Sequence, residues 1–236
     1  MKNINLSTMQ NPKSIQSEAY RTLRTNLQFA SAGGELKTIV VTSSAPGEGK
    51  STTATNLAVT LANSDNNVLL MDCDLRKPSL NRYILLSSRE GLTNVLAGMT
   101  TLDNIIQDTE IPRLQAITSG PIPPNPAELL NSQKMKDLIG ELEGMYDYII
   151  IDSPPTVPVT DSTILSTMVD GVILVISSGE TPIDIAQKAK ENLEKVNAKI
   201  LGVVINKIKI KGEHYHYYNY DMETKRNNLK KKRRRR

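Results

Sequence analysis

Apolar positions in this chain gather into six short, unbroken runs, at about 38–43, 67–72, 114–118, 147–152, 171–176 and 199–205. Runs such as Gly171-Val172-Ile173-Leu174-Val175-Ile176 lack polar alternation, the pattern of parallel strands covered on both faces. Between the runs, apolar residues recur at helical spacing and predict helices near 14–30, 51–63, 126–144 with a break, 160–168 and 182–197. Ser14 or Ser17 can cap the first helix, and Gly33-Gly34 can stop it. Strands alternating with helices predict an α/β fold with a doubly wound, mostly parallel sheet. The period fades between Lys77 and Pro112, and Pro121-Ile122-Pro123-Pro124-Asn125-Pro126 predicts an ordered loop or a lid.

The first strand leads into Ser43-Ser44-Ala45-Pro46-Gly47-Glu48-Gly49-Lys50-Ser51-Thr52, and a helix follows. Small residues there let backbone N–H groups approach phosphate oxygens, and the helix N-terminus adds partial positive charge. Ala45 through Thr52 are therefore candidate nucleotide-binding residues. Lys50 would reach the β/γ-phosphates, and the Ser51 hydroxyl would ligate Mg²⁺. Ser44 departs from the strict pattern, which wants Gly. The second run ends in Asp72-Cys73-Asp74 and the fourth in Asp152. In an open parallel sheet the carboxyl ends of the strands line the ligand crevice, so one Lys, one Ser and three Asp are expected in one place. That set suits Mg²⁺ and a nucleoside triphosphate.

Composition narrows the setting. With 236 residues, 39% of them hydrophobic, the chain can bury a real core, and one large domain over 1–210 is expected. No uncharged apolar run is long enough to span a bilayer, and the N-terminal Met-Lys-Asn-Ile-Asn-Leu-Ser lacks an apolar signal core, which predicts a cytoplasmic protein. One cysteine and two histidines make no soft-metal set, leaving Mg²⁺ as the expected metal. From Lys225 onward the chain carries nine Lys and Arg and no acid, so a total charge of +4 leaves residues 1–224 at −5. Residues 211–236 are expected to be a disordered tail whose basic end could touch an anionic membrane. No specific nucleic acid is expected. Four of the eight tyrosines, Tyr215, Tyr217, Tyr218 and Tyr220, crowd into six tail positions without aliphatic neighbours and suit phosphoacceptors.

These residues resemble the bacterial tyrosine kinases that control capsule and exopolysaccharide synthesis, in the form of the separate cytoplasmic kinase of Gram-positive type. The likeness runs from Glu18-Ala19-Tyr20-Arg21-Thr22-Leu23-Arg24 to the tyrosine tail, through Pro46 to Thr52, Asp72 to Pro78, Gly120 to Pro126 with Glu128, and Asp152-Ser153-Pro154-Pro155. The resemblance implies a P-loop core of the ParA- and MinD-like branch, in which Ser44 is ordinary. It implies that ATP and Mg²⁺ are the cofactors, that Glu18, Arg21 and Arg24 on the 14–30 helix join subunits into a ring, and that each subunit offers its tail to a neighbour. It also implies a membrane-protein activator with a cytoplasmic docking segment that draws the kinase to the inner face of the cell membrane, protein tyrosine substrates and a counteracting phosphatase.

Phosphoryl-transfer chemistry then predicts the roles. Lys50 stabilises phosphate charge; Ser51, Asp74 and Asp152 hold Mg²⁺; Asp72 accepts the tyrosine proton, with Asp72 and Asp74 able to exchange roles. Asn206 stands where related ATPases contact adenine, although a plain strand-end Asn fits equally. The rival reading is a partitioning or septum-positioning ATPase that acts as a nucleotide-dependent dimer switch on membrane or DNA. Those relatives carry an additional lysine where this chain has Ala45.

Overall fold

The strand ends that carry charge are set side by side by a single seven-stranded sheet. The computed structural model describes residues 6–30 and 36–209. The strands are β1 (Thr38–Ser43), β2 (Val68–Asp72), β3 (Gln107–Asp108), β4 (Leu114–Ile117), β5 (Tyr148–Asp152), β6 (Gly171–Ser177) and β7 (Ile200–Asn206). Their order is β3-β4-β2-β5-β1-β6-β7. Every neighbour pair is parallel except β3 with β4, so the expected mostly parallel sheet is present.

Nine helices complete the described residues: α1 (Ser7–Gln10), α2 (Ile15–Ala30), α3 (Lys50–Ala62), α4 (Leu80–Tyr83), α5 (Leu92–Leu96), α6 (Pro126–Leu130), α7 (Gln133–Glu143), α8 (Asp161–Ser166) and α9 (Ile183–Glu194). All elements lie in the unit that ends at Asn206.

Period-2 alternation splits the core between the two faces of the sheet. Leu69, Met71, Ile149 and Ile151 join Leu138 and Leu142 of α7 in one cluster. Val68, Leu70, Ile39, Val41 and Ile150 join Leu57 and Leu61 of α3 in the other. α3 is buried almost all round, because α1 and α2 cover its outer side while the sheet covers its inner one. Asn56 ties these layers: its Oδ1 accepts from the Thr8 N–H at 3.2 Å and the Thr8 hydroxyl at 2.8 Å, and its Nδ2 donates to the Thr52 carbonyl at 2.9 Å.

Local signals explain the boundaries. Ser14 is the cap of α2, its Oγ accepting the Ser17 N–H at 3.1 Å. Gly33-Gly34 lie outside the described residues. The 126–144 helix breaks after Leu130 because Ser132 starts a new helix, accepting the Met135 N–H at 3.3 Å. Between Lys77 and Pro112 the chain forms α4, α5 and the two-residue β3, all too short to display a period. The turn after β4 is ordered at its root: Leu92 and Thr93 donate to the carbonyls of Thr118 and Ser119, both at 2.9 Å. Gly91 packs so closely there that a Cβ would sit 2.2 Å from the Thr118 oxygen. Tyr215, Tyr217, Tyr218, Tyr220 and the basic run fall outside the described residues.

Candidate nucleotide site

The loop after β1 turns on two left-handed glycines, Gly47 at φ 83° and Gly49 at φ 97°. Gly49 is doubly required, since a Cβ there would lie 2.0 Å from Asn206 Nδ2. α3 begins at Lys50 with Gly49 as its N-cap. The N–H groups of its first turn have no intrahelical acceptors, and its dipole points its positive end at the loop. The combination is an anion site. Pro46 and Gly47 are exposed; Ala45, Gly49, Lys50 and Thr52 are half-buried; Glu48 and Ser51 are buried.

Ser44 has a structural reason to differ from Gly. Its N–H donates to Glu48 Oε2 at 2.8 Å, and its hydroxyl donates to the same carboxylate at 2.7 and 2.8 Å. The Ala45 N–H also reaches Glu48 Oε2, at 3.0 Å. A glycine at 44 would lose the hydroxyl bond. Glu48 thus turns into the loop, a direction its sequence position does not reveal.

Lys50 Nζ lies 2.8 Å from Asp74 Oδ2, 3.4 Å from Asp152 Oδ1 and 3.2 Å from Ser51 Oγ. Burial pulls its ammonium down, and the Asp152 and Asp74 carboxylates push it back above its ordinary value. The carboxylates come together through strand register. Asp72 on β2 is paired with Asp152 on β5, and Asp152 with Val41 on β1. Register partners share a face at about 5 Å between backbones, so two like charges are forced together. Burial, reinforced by Asp152, raises the Asp72 carboxyl to about 7. Burial also raises Asp152, opposed by Lys50 and the Ser51 hydroxyl.

Their hydrogen bonds differ. Asp72 Oδ1 accepts the Asp74 N–H at 3.1 Å, and Oδ2 accepts the N–H groups of Ser79 and Leu80 at 3.1 and 3.0 Å. Asp74 Oδ1 accepts the Lys77 N–H at 3.0 Å. Asp152 Oδ2 is buried without a partner. Three or more His, Cys, Asp or Glu do not gather into a metal cage among the described residues. Mg²⁺ needs no such cage, taking one or two carboxylates with phosphate and water, and the orphaned Asp152 oxygen beside Ser51 and Asp74 fits that demand.

Several contacts join residues too far apart in sequence to be marked by any local pattern. Arg76 makes a two-point contact with buried Asp161, Nε to Oδ2 at 2.8 Å and Nη2 to Oδ1 at 2.9 Å, tying the Asp72–Ser79 loop to α8. Ser79 Oγ lies 3.1 Å from Ser51 Oγ. Asn206 Nδ2 donates to the Glu48 carbonyl at 3.0 Å, so this residue does meet the phosphate loop. Of the residues expected to join subunits, Glu18 and Arg21 pair with each other in the open. Arg24 instead reaches α3, donating to the Thr60 carbonyl at 3.3 Å and to Ser64 Oγ. No described helix is long and apolar enough to cross a membrane.

Comparison with known proteins follows the same lines. The model of the ParA family, described as NUBPL iron-transfer P-loop NTPase, matches residues 36–232. The tyrosine-protein kinase YwqD of Bacillus subtilis (strain 168) is 48% identical over 202 residues, 86% of this chain and 85% of that protein. Among solved structures, the chimerical protein CapA2B2 is similar with a TM-score of 0.85 and 41% identity, covering 87% of this chain and 91% of that one. The kinase domain of the Escherichia coli tyrosine kinase ETK gives 0.83 and 32%, covering 90% and 85%.

Proposed function

The chain belongs to the bacterial tyrosine-protein kinases built on a ParA-type P-loop core, and from that premise we propose that it uses ATP and Mg²⁺ to phosphorylate its own Tyr215, Tyr217, Tyr218 and Tyr220. The observation that carries this reading is the contact of Lys50 with Asp74 and Asp152 beside an orphaned Asp152 oxygen. A basic side chain among carboxylates at a helix N-terminus suits a phosphate–cation pair.

Lys50 neutralises charge on the β/γ-phosphates, and the N–H groups of residues 47–52 cradle them. Ser51, Asp74 and Asp152 would hold Mg²⁺, which supplies further neutralisation of phosphate charge when bound. The tyrosine oxygen attacks the γ-phosphorus, the bond to the β–γ bridging oxygen breaks, and ADP leaves. Asp72 accepts the phenolic proton. Three of its roughly four lone-pair sites are taken by N–H groups, which leaves one to point at the acceptor. A carboxyl raised to about 7 is also well matched to a proton near neutral pH. Asn206 contributes to the nucleotide pocket from the end of β7.

The wider setting is part of the same proposal. Glu18, Arg21 and Arg24 assemble subunits into a ring in which tails are modified in trans. The domain runs from 1 to 210, and a tyrosine-rich, then basic tail follows from 211 to 236. A membrane-protein activator recruits the kinase from the cytoplasm to the inner membrane face, the basic end touches anionic lipid, a phosphatase reverses the mark, and polysaccharide synthesis or export responds.

Two other classes share the fold. A partitioning-type dimer switch would want a lysine where Ala45 stands. An iron-transfer role would want thiolates, and the only cysteine, Cys73, is buried. Incubation with Mg²⁺ and ATP, followed by mass measurement of the tail peptide, separates them. Phosphate on Tyr215 to Tyr220 that vanishes in Lys50→Met is expected; an unmodified tail under every activating condition would sink the reading.

A further inference from the structure

We propose that Glu48 is a positioning residue that presets the phosphate loop, clamping its first turn and coupling it to the turn between β6 and α9 and to the end of β7. The proposal rests on the loop being the nucleotide site.

A carboxylate within a phosphate cradle is electrostatically adverse, since it repels the ligand. Here it is almost wholly buried, at 5% exposure, and each oxygen is committed. Oε2 takes the N–H groups of Ser44 and Ala45 together with the Ser44 hydroxyl. Oε1 takes the Ser44 hydroxyl and the hydroxyl of Thr181 at 2.5 Å. The Thr181 oxygen in turn accepts the Ser177 N–H at 2.8 Å, at the last residue of β6. The backbone carbonyl of Glu48 accepts from Asn206 Nδ2, and the Asn206 carbonyl accepts the Ser178 N–H at 2.8 Å. One residue therefore joins the ends of β1, β6 and β7.

The clamp divides the loop into two functional halves. The donors at 44 and 45 are satisfied internally, Pro46 has none, and the donors from 47 to 52 are left to face an anion. Because its charge is spent on four donor groups, Glu48 organises the cradle with little repulsion toward phosphate. The Glu48 carboxylate is taken up by protein donors and holds no phosphate in this arrangement. It acts through the backbone.

Binding of a fluorescent ADP analogue to the full chain, with melting temperature measured in parallel, tests the idea without needing tyrosine transfer. An unphosphorylated tail in the parent protein would thus reject the kinase reading and leave this test intact. Glu48→Ala should weaken ADP by roughly tenfold to a hundredfold, the scale of bonds to a charged group. Glu48→Gln, which keeps one acceptor for the two N–H groups, should recover most of that loss. Thr181→Val should weaken ADP by about threefold to tenfold, and should add nothing on top of Glu48→Ala. ADP affinity unchanged in Glu48→Ala with a lowered melting temperature would reduce Glu48 to a structural role and overturn the proposal. Full additivity of the two substitutions would overturn the coupling. If Glu48→Ala does not fold, Thr181→Val and Ser44→Ala decide alone: weaker ADP in both supports the clamp, and unchanged ADP in both rejects it.

Discussion

The acidic ends of β2 and β5 are register partners, yet they use their carboxylates in opposite ways. At the β2 end, Asp72 accepts three backbone N–H groups, and Asp74 accepts one more besides meeting Lys50. Those carboxylates build the loop from 73 to 80. At the β5 end, Asp152 gives one oxygen to Lys50 and keeps the other buried and unmatched. An unsatisfied buried oxygen costs free energy, so it persists only where something repays it. The β2 end is folded around its own acids; the β5 end keeps one carboxylate oxygen unmatched.

Substitutions should separate the two ends. Asp152→Asn is expected to cut tail phosphorylation by roughly a thousandfold, the scale of losing charge stabilisation, while the melting temperature moves by less than about 3 °C. A collapse in melting temperature would mean that β5 is structural too. Asp72→Ala should lower the rate by roughly a hundredfold or more as a lost proton acceptor, and should also cost about 2–3 kcal/mol in urea unfolding because several N–H groups lose their acceptor. A stability unchanged by Asp72→Ala would erase the distinction.

Acidity sharpens the contrast further. Asp72 and Asp152 are both raised in the folded protein, so the folded state binds protons more tightly than the unfolded chain. Stability of the ligand-free protein should therefore fall as pH rises from the ordinary carboxylate range toward about 7, by at most about 1.4 kcal/mol per pH unit for each proton released. Lys50, raised above its already high ordinary value, does not contribute in this window. Asp72→Asn should flatten the slope; an unaltered slope would assign it elsewhere. In the proposed mechanism the sign reverses for catalysis: kcat/KM for ATP should fall as pH is lowered, because the proposed proton acceptor Asp72 must be unprotonated.

The smallest effects belong to the opposite end of α3. Arg24→Ala should cost about 1 kcal/mol, since it removes a cation from a helix C-terminus. The exposed Arg21→Ala should cost under about 0.5 kcal/mol. Equal losses for the two would mean that Arg24 does not cap α3.

Much of this was legible in the sequence wherever one residue type serves one local purpose. The apolar runs gave every strand but the two-residue β3, and Gly47, Gly49 and Lys50 announced a phosphate loop because chirality and charge leave few alternatives there. What escaped was decided by distant partners. Arg76 meets Asp161 85 positions away, and Glu48 is turned inward by Thr181 133 positions away. Helices of four or five residues, such as α4 and α5, cannot complete enough turns to betray a period. Arg24 read as a residue for subunit contacts, and only the packing of α2 on α3 reveals its intramolecular bond.

That bond makes α3 a two-ended rod. Its 13 residues span about 20 Å between the phosphate loop and the carbonyl held by Arg24. A subunit contact that claims Arg24 must first uncap this helix. Assembly and the seating of α3 then form one linked equilibrium, with reciprocity fixed by thermodynamics: the factor by which a secure cap hinders assembly is the factor by which assembly loosens the cap.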